Sequence, residues 1–354
     1  MTLKKAFFIN GGAGRVLCAI PGLENYKKTV DEDVVIVSEG WSELFLTSPS
    51  LRDNVYPVGH KRLFQDKLQD RELISPEPYR LNAYFNQKCN LIQAFDMLIN
   101  GNTEEIPKTR SFNLEISRRD QAFGYNTVQQ IKAKAGKNKL VVFQPLGSGA
   151  KLQGDFLIDE SGRSFDVKDI ITVVEELSKH YAIAIMTSEA IPVHKEMGAA
   201  IPQANMLQWM GIVNACDYFL GCDSMGQHYA HALGKPATVV IGSTFPTNIS
   251  YPDNKHFTII DNGKDKRGYN PFRVTQDFDK ERSNEDLMVM DSNTVQKIIQ
   301  SVYNKLGKTK QPKQVPEIKA SQSNGTNKMI EDAVAKSIGN IGTKSNQTVP
   351  VLKK

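Results

Sequence analysis

Apolar positions along the chain come in short runs that switch between the period of a strand and the period of a helix. Residues 6–10 read as a buried strand, Gly11-Gly12-Ala13-Gly14 as a turn, and residues 15–28 as a helix that tolerates Pro21. The β-branched residues 33–38 read as a second strand ending at Glu39-Gly40, and residues 54–58 as a shorter third strand ending at Gly59-His60. The pattern is irregular from 76 to 119, where only residues 79–100 keep helical spacing. A second alternating series begins near Lys137. It comprises a strand over 139–144, a small-residue turn over 145–149, a helix over 166–180 and a strand over 182–187. It continues with a helix over 206–215, a strand over 218–221 and a helix over 227–233 that stops at Gly234 just before Pro236. Strands over 237–242 and 257–261 and a helix over 292–306 close it.

Strands alternating with helices predict parallel sheets joined by crossovers. Two such series in succession predict an α/β chain of two doubly wound domains facing a cleft, over residues 1–136 and 137–306. Ligands in such sheets sit outside the carboxyl ends of the strands. From residue 307 the composition turns to Lys, Gln, Asn, Ser, Thr and Pro, which predicts a disordered basic tail with one short amphipathic helix over 327–338.

Composition changes this picture little. At 354 residues and 40% hydrophobic the chain is long enough for two cores. The net charge of +5 invites a polyanion partner. The tail, however, holds nine lysines against Glu317, Glu331 and Asp332, and this surplus leaves the body near neutral. No apolar run is long enough to span a bilayer, and the basic start at Lys4-Lys5 reads as the flank of a first strand rather than a leader. Cys18, Cys89, Cys216 and Cys222 have no metal spacing and are expected as buried free thiols in a cytoplasmic protein.

Candidate chemistry concentrates in Cys222-Asp223-Ser224-Met225-Gly226-Gln227-His228-Tyr229-Ala230-His231-Ala232-Leu233-Gly234-Lys235-Pro236, then Gly242-Ser243-Thr244-Phe245-Pro246 and Tyr251-Pro252. A strand end, a small polar turn and a helix start place unpaired N–H groups and a positive dipole end where an anion binds. Asp223 reads as a helix cap or a donor ligand. The segment resembles the heptosyltransferases, family 9 of the glycosyltransferases, which carry D-[ST]-G-x-x-H-x-A-x-A-L-G-x-P and then F-G-x-T-x-P. Asp223, Ser224, His228, Ala230, Ala232, Leu233, Gly234, Pro236, Gly242, Thr244 and Pro246 match; Met225 beside Gly226, and Tyr251, depart.

The resemblance implies the two-domain GT-B fold and inverting transfer of a hexosyl or heptosyl unit from a nucleotide sugar, acting as co-substrate with no cofactor and no metal. The acceptor it implies is a surface glycan such as a lipopolysaccharide core. It implies donor contacts at Asp223, Ser224, Met225, Gly226, His228 and Thr244. Gly147 and Ser148 stand where the family has its phosphate loop, and Lys151 and Arg163 compete for the phosphate-binding cation, each with a solvated surface charge as its rival reading. Glu189, after a strand, is a candidate ribose ligand.

The family's first loop, G-x-x-G-D-x-x-x-x-x-P, is matched here at Gly14 and Pro21, with Gly11 and Gly12 before them on the acceptor side. Where the family places an Asp, its general base, this chain has Arg15, which stays protonated. Glu39 and His60, on the carboxyl edge of the first sheet, are the candidate replacements, and Arg15 itself is a candidate for holding an acidic group on the acceptor. Three other readings stay open. One is a glycosyltransferase acting on modified DNA bases and helped by the basic tail. A second is a non-catalytic descendant that binds a glycan or nucleotide. The third is an NAD-dependent dehydrogenase using Gly12-Ala13-Gly14 with Glu39, although Leu17 stands where the third fingerprint glycine belongs.

Overall fold

The computed structural model describes residues 3–153, 156–159, 161–187, 191, 198–267 and 286–308. The tail from 309 on, with its expected helix, lies outside the described residues, as does Glu189. Four strands form the first sheet: β1 (Lys4–Ile9), β2 (Val35–Ser38), β3 (Val55–Pro57) and β4 (Arg71–Ile74). All pair in parallel, in the order β3-β2-β1-β4. α1 (Ala13–Thr29) connects β1 to β2, and α2 (Asn82–Phe85), α3 (Leu91–Asn100) and α4 (Arg118–Ala135) follow β4. Next come β5 (Leu140–Gln144), an antiparallel hairpin of β6 (Ala150–Gln153) and β7 (Phe156–Asp159), α5 (Val167–Ser178), β8 (Ala182–Ile185) and β9 (Ala199–Ala200). The last elements are α6 (Met206–Ala215), β10 (Tyr218–Cys222), α7 (Met225–Ala232), β11 (Ala237–Ile241), α8 (Pro246–Ile249), β12 (Phe257–Asp261) and α9 (Ser292–Leu306). The second sheet is parallel throughout, in the order β12-β11-β10-β5-β8-β9. The α/β class with two parallel sheets is as the alternating pattern predicts.

Each order starts from a central strand and runs first one way, then the other. The crevice between strands that depart in opposite directions is where a doubly wound sheet binds ligands. It lies between the carboxyl ends of β1 and β4 in the first sheet, and of β5 and β10 in the second.

One continuous core joins the two sheets. It runs from Phe7 and Ile9 through Leu17, Ile20 and Phe95 to Val142, Met210, Phe219, Met225 and Tyr229. A second core, with Val141, Ile183, Leu220, Ile170, Val174 and Ile298, fills the opposite face of the second sheet under α5 and α9. The cysteines are all buried and free, as expected, and burial pushes the Cys89 thiol up to about 11 and Cys216 to about 12.

Several elements differ from the sequence reading. The helix over 79–100 is broken: α3 starts afresh at a capping box of Asn90 with Gln93, and Gln87 before it takes a left-handed φ of 58°. Residues 118–135, which no apolar period marked, form α4, because only Gly124 and Val128 of this helix are buried. α4 lies before position 136 in the chain, yet it packs on α6 and on β5 and β8 of the second sheet. α1 and α7 each begin two residues earlier than the pattern indicated. No helix among the described residues is long and apolar enough to cross a membrane.

Candidate functional site

At the β5/β10 crevice, Gln144 ends β5 with its side chain turned onto the start of α7. Its Nε2 donates to Ser224 Oγ at 3.1 Å, and its Oε1 accepts from the Gly226 N–H at 2.8 Å. Ser224, the residue in the N-cap position, makes no capping bond of its own, so Gln144 does that work from another strand. Asp223 is 2% exposed; it accepts from Gln227 Nε2 at 2.9 Å and from Thr244 Oγ1 at 2.7 Å. Ser243 Oγ donates to the Ser161 carbonyl at 2.7 Å, which ties the loop after β11 to the loop after β7.

Asp159 organises that second loop. It accepts from the N–H groups of Ser161 (2.8 Å) and Ser164 (3.0 Å) and from both their hydroxyls. Burial works against its charge, but these hydrogen bonds win and hold the carboxyl below its usual range. Arg163 donates to Ser161 Oγ and Ser148 Oγ, both at 3.0 Å, and Gly147 N–H donates to Ser164 Oγ at 2.9 Å. Burial opposes the Arg163 charge, and Asp223 and Asp159 outweigh it, raising the guanidinium further. Gly147, Ser148, Arg163, Asp223, Ser224, Gly226 and Thr244 are therefore brought together on one sheet edge. Lys151 is not: it stands exposed on β6, paired through its backbone with β7, and its side chain has no hydrogen bond or ion pair to the described residues. Arg267, beyond β12, donates to the Gly242 carbonyl, pairs with Asp261 and lies 4.8 Å over the Phe245 ring.

Two motif residues face inward. Met225 belongs to the continuous core. His228 is 3% exposed, its Nδ1 2.6 Å from Tyr251 Oη and 3.6 Å from Cys18 Sγ. Tyr251 also stacks on His231 with ring centroids 3.5 Å apart, filling with an aromatic ring the position that departs from the family pattern. A Cβ added to Gly14 would lie 2.9 Å from the His228 ring, so Gly14 is a contact between α1 and α7. A dinucleotide pyrophosphate would need the space over this turn, and His228 fills it.

On the first sheet, Gly11 turns the chain out of β1 with a φ of 91° and Gly12 stands at the N-cap of α1. Arg15 is 5% exposed. It donates to both Glu77 oxygens at 3.1 Å and to the Pro76 carbonyl at 3.1 Å, with Tyr79 and Phe95 rings 5.0 and 5.7 Å from its guanidinium carbon. Its charge is thus committed within the protein rather than displayed to an acceptor. Glu39 and His60 are exposed on loops after β2 and β3, the strands on the far side of β1 from β4, and His60 rests against Tyr56 at 5.2 Å. The Glu39 N–H donates to the Ile9 carbonyl at the end of β1 at 3.1 Å, on the side of β1 opposite β4. Tyr79 bridges the two halves: burial raises its hydroxyl, and the charges of Arg15 and Arg163 oppose this, with Asp223 and Glu77 also acting on it. Among the described residues no group of three or more His, Cys, Asp or Glu is placed to hold a metal ion.

No family model matches the sequence, and no curated protein matches it. Solved structures do match. A family 9 glycosyl transferase from Veillonella parvula DSM 2008 has a TM-score of 0.56 at 12% identity, over 85% of this chain and 96% of that one. The iron-containing dodecameric glycosyltransferase TibC of enterotoxigenic E. coli H10407 has 0.54 at 12%, over 86% and 78%. The ADP-heptose lps heptosyltransferase II of E. coli has 0.51 at 10%, over 85% and 98%. The fold is that of the family 9 glycosyltransferases. At 10–12% identity the likeness carries the GT-B architecture alone.

Within this family 9 fold, the sequence reading missed Gln144, Asp159, Arg267, Glu77 and Tyr79 as site residues. Gln144 closes the strand over 139–144, but its partner Gly226 lies 82 positions away. Glu77 follows a strand, Arg71–Ile74, whose two charged residues hid it from an apolar pattern.

Proposed function

We propose that this chain is a nucleotide-sugar glycosyltransferase. The observation that supports it is the β5/β10 crevice, where Arg163, the Gln144-capped start of α7 and the Asp223–Thr244 pair converge on one edge of a family 9 fold. In this reading the donor diphosphate lies between the α7 N-terminus and Arg163, which supply the positive end of a helix dipole and a fixed positive charge. Thr244 and Asp223 orient the sugar. The acceptor hydroxyl enters from the β1/β4 side and displaces the diphosphate in line, inverting the anomeric carbon. Charge developing on the leaving group falls to Arg163 and the helix end, so the reaction is metal-independent. Relatives of the fold include TibC in complex with ADP-D-beta-D-heptose, which makes an ADP-linked heptose the first donor to try, and a lipopolysaccharide core the first acceptor.

The test is a thermal-shift and hydrolysis screen of the full chain against ADP-heptose, other ADP, UDP and GDP sugars, and NAD, with and without EDTA. One nucleotide sugar at 100 times its Kd should stabilise the chain by about 2.7 kcal/mol, with nucleotide release unaffected by EDTA. Stabilisation by NAD alone, or by no nucleotide sugar, overturns the reading. A second reading, a binding protein that transfers nothing, is favoured by Arg15 where the family base should be. Tight donor binding without any turnover would support it.

A further inference from the structure

The transferase reading leaves the acceptor proton without a taker, because Arg15 cannot accept it. We propose that Glu77 is the general base, its carboxylate carried by the loop after β4 and aimed by Arg15. The inference rests on the transferase reading and adds the residue that completes it.

Topology is the first support. β4 pairs with β1 on the side opposite β2, so the crevice of the first sheet opens between β1 and β4. Glu77 follows β4 directly, whereas Glu39 and His60 follow β2 and β3 on the other side. Geometry is the second. Arg15 NH1 and NH2 each donate to one Glu77 oxygen at 3.1 Å, and the Tyr79 N–H donates to Oε1 at 3.3 Å. That fixes the plane of the carboxylate and leaves Oε2 with one partner and a free lone pair. The Glu77 side chain keeps 28% of its surface exposed while Arg15 keeps 3%, so the acid and not the guanidinium meets solvent. Position relative to the donor is the third. Tyr79, two residues on, lies within the electrostatic reach of both Arg163 and Asp223.

Asp223 and Asp159 stand at the β5/β10 crevice of the second sheet, where their carboxylates order the loops around them, whereas Glu77 stands after β4 at the crevice of the first.

The step balances as follows. An acceptor O–H gives its proton to Glu77 Oε2 as the oxygen forms a bond to the anomeric carbon. The bond from that carbon to the diphosphate oxygen breaks, and its electron pair leaves with the nucleoside diphosphate. Water serves as acceptor in the same way, so the step is measurable without the natural acceptor. Arg15 is a positioning residue, and its pairing with Glu77 reverses the polarity that the family pattern places on α1.

The experiment follows nucleotide release from ADP-heptose, and from the best donor of the screen, by wild type, Glu77→Gln and the double variant Arg15→Met with Glu77→Gln. Glu77→Gln is expected to lower kcat by about 10²–10⁴-fold, with the donor KM within about 2-fold of wild type. If the single variant melts early because Arg15 is left without its counter-ion, the double variant removes both charges and should fold and be equally slow. A folded variant of either kind that keeps kcat within about 3-fold of wild type overturns the base assignment and leaves the transferase reading standing. A wild-type chain that binds and hydrolyses no donor overturns both.

Discussion

Gly226 is the residue where the second-sheet site has no slack. A Cβ there would lie 2.4 Å from Gln144 Oε1 and 2.5 Å from the Phe219 ring. Gly226→Ala must therefore break the Gln144 cap or push Phe219 out of the core. The expected cost is about 1–3 kcal/mol in urea unfolding, with weaker stabilisation by the donor in the same thermal-shift screen. A variant that keeps both wild-type stability and wild-type donor response would show that the cap is dispensable. Residues at this scale were legible where their chemistry is local. Asp223, Ser224 and Thr244 stand at turns whose spacing announces a helix start and a strand end. Gln144 and Glu77 were not legible, because each acts on a partner far along the chain: Gly226 lies 82 positions from Gln144 and Arg15 lies 62 from Glu77. The motif positions of His228 and Arg15 suggest ligand contact, but burial gives His228 to a hydrogen bond with Tyr251 and Arg15 to an ion pair with Glu77.

Where α4 and α6 meet, their backbones leave no room for a side chain. A Cβ on Gly124 would lie 2.1 Å from the Gly211 carbonyl carbon, and one on Gly211 would lie 2.1 Å from the Asp120 carbonyl oxygen. Backbone cannot yield as a side-chain tip can, so Gly124→Ala and Gly211→Ala are each expected to destabilise by about 3 kcal/mol, the upper end for overpacking. Gly40→Ala, with open space around it, should stay within about 0.5 kcal/mol of wild type. Equal midpoints for the three variants in chemical denaturation would contradict this packing. The sequence made the strongly periodic elements visible, such as α5 and α9, whose apolar stripes are continuous. It hid α4, which presents little more than a glycine and a valine to the core, and β4, where two of four residues are charged. Small residues that allow helices to touch leave no hydrophobic period to read.

At the scale of the whole molecule, the shared core sets the response to acid. Burial lowers His228 to about 3, with His231 adding to the effect, and burial lowers His231 to about 4, both from 6.5. Below pH 6.5 the unfolded chain takes up protons that the folded chain refuses, so stability is fully present above that value and falls as pH drops toward 4. Each histidine contributes up to about 1.4 kcal/mol per pH unit in this window. Urea unfolding at pH 7, 6 and 5 should show a steepening loss, and a flat profile would mean that these rings are hydrated. The two-sheet architecture was legible in the alternation of strands and helices. The continuity of the core was not, because no local pattern records which face of one sheet's helices meets the other's.

That continuity has a cost in time. Cys18 and His228 touch across 210 positions of sequence, and a ribosome adds about 5–20 residues per second. The apolar flank of α1 and its thiol therefore emerge roughly 10–40 s before the helix that covers them is made. For that interval this flank of the nascent chain lacks its α7 cover, and exposed apolar surface of this kind is what makes folding intermediates prone to aggregate.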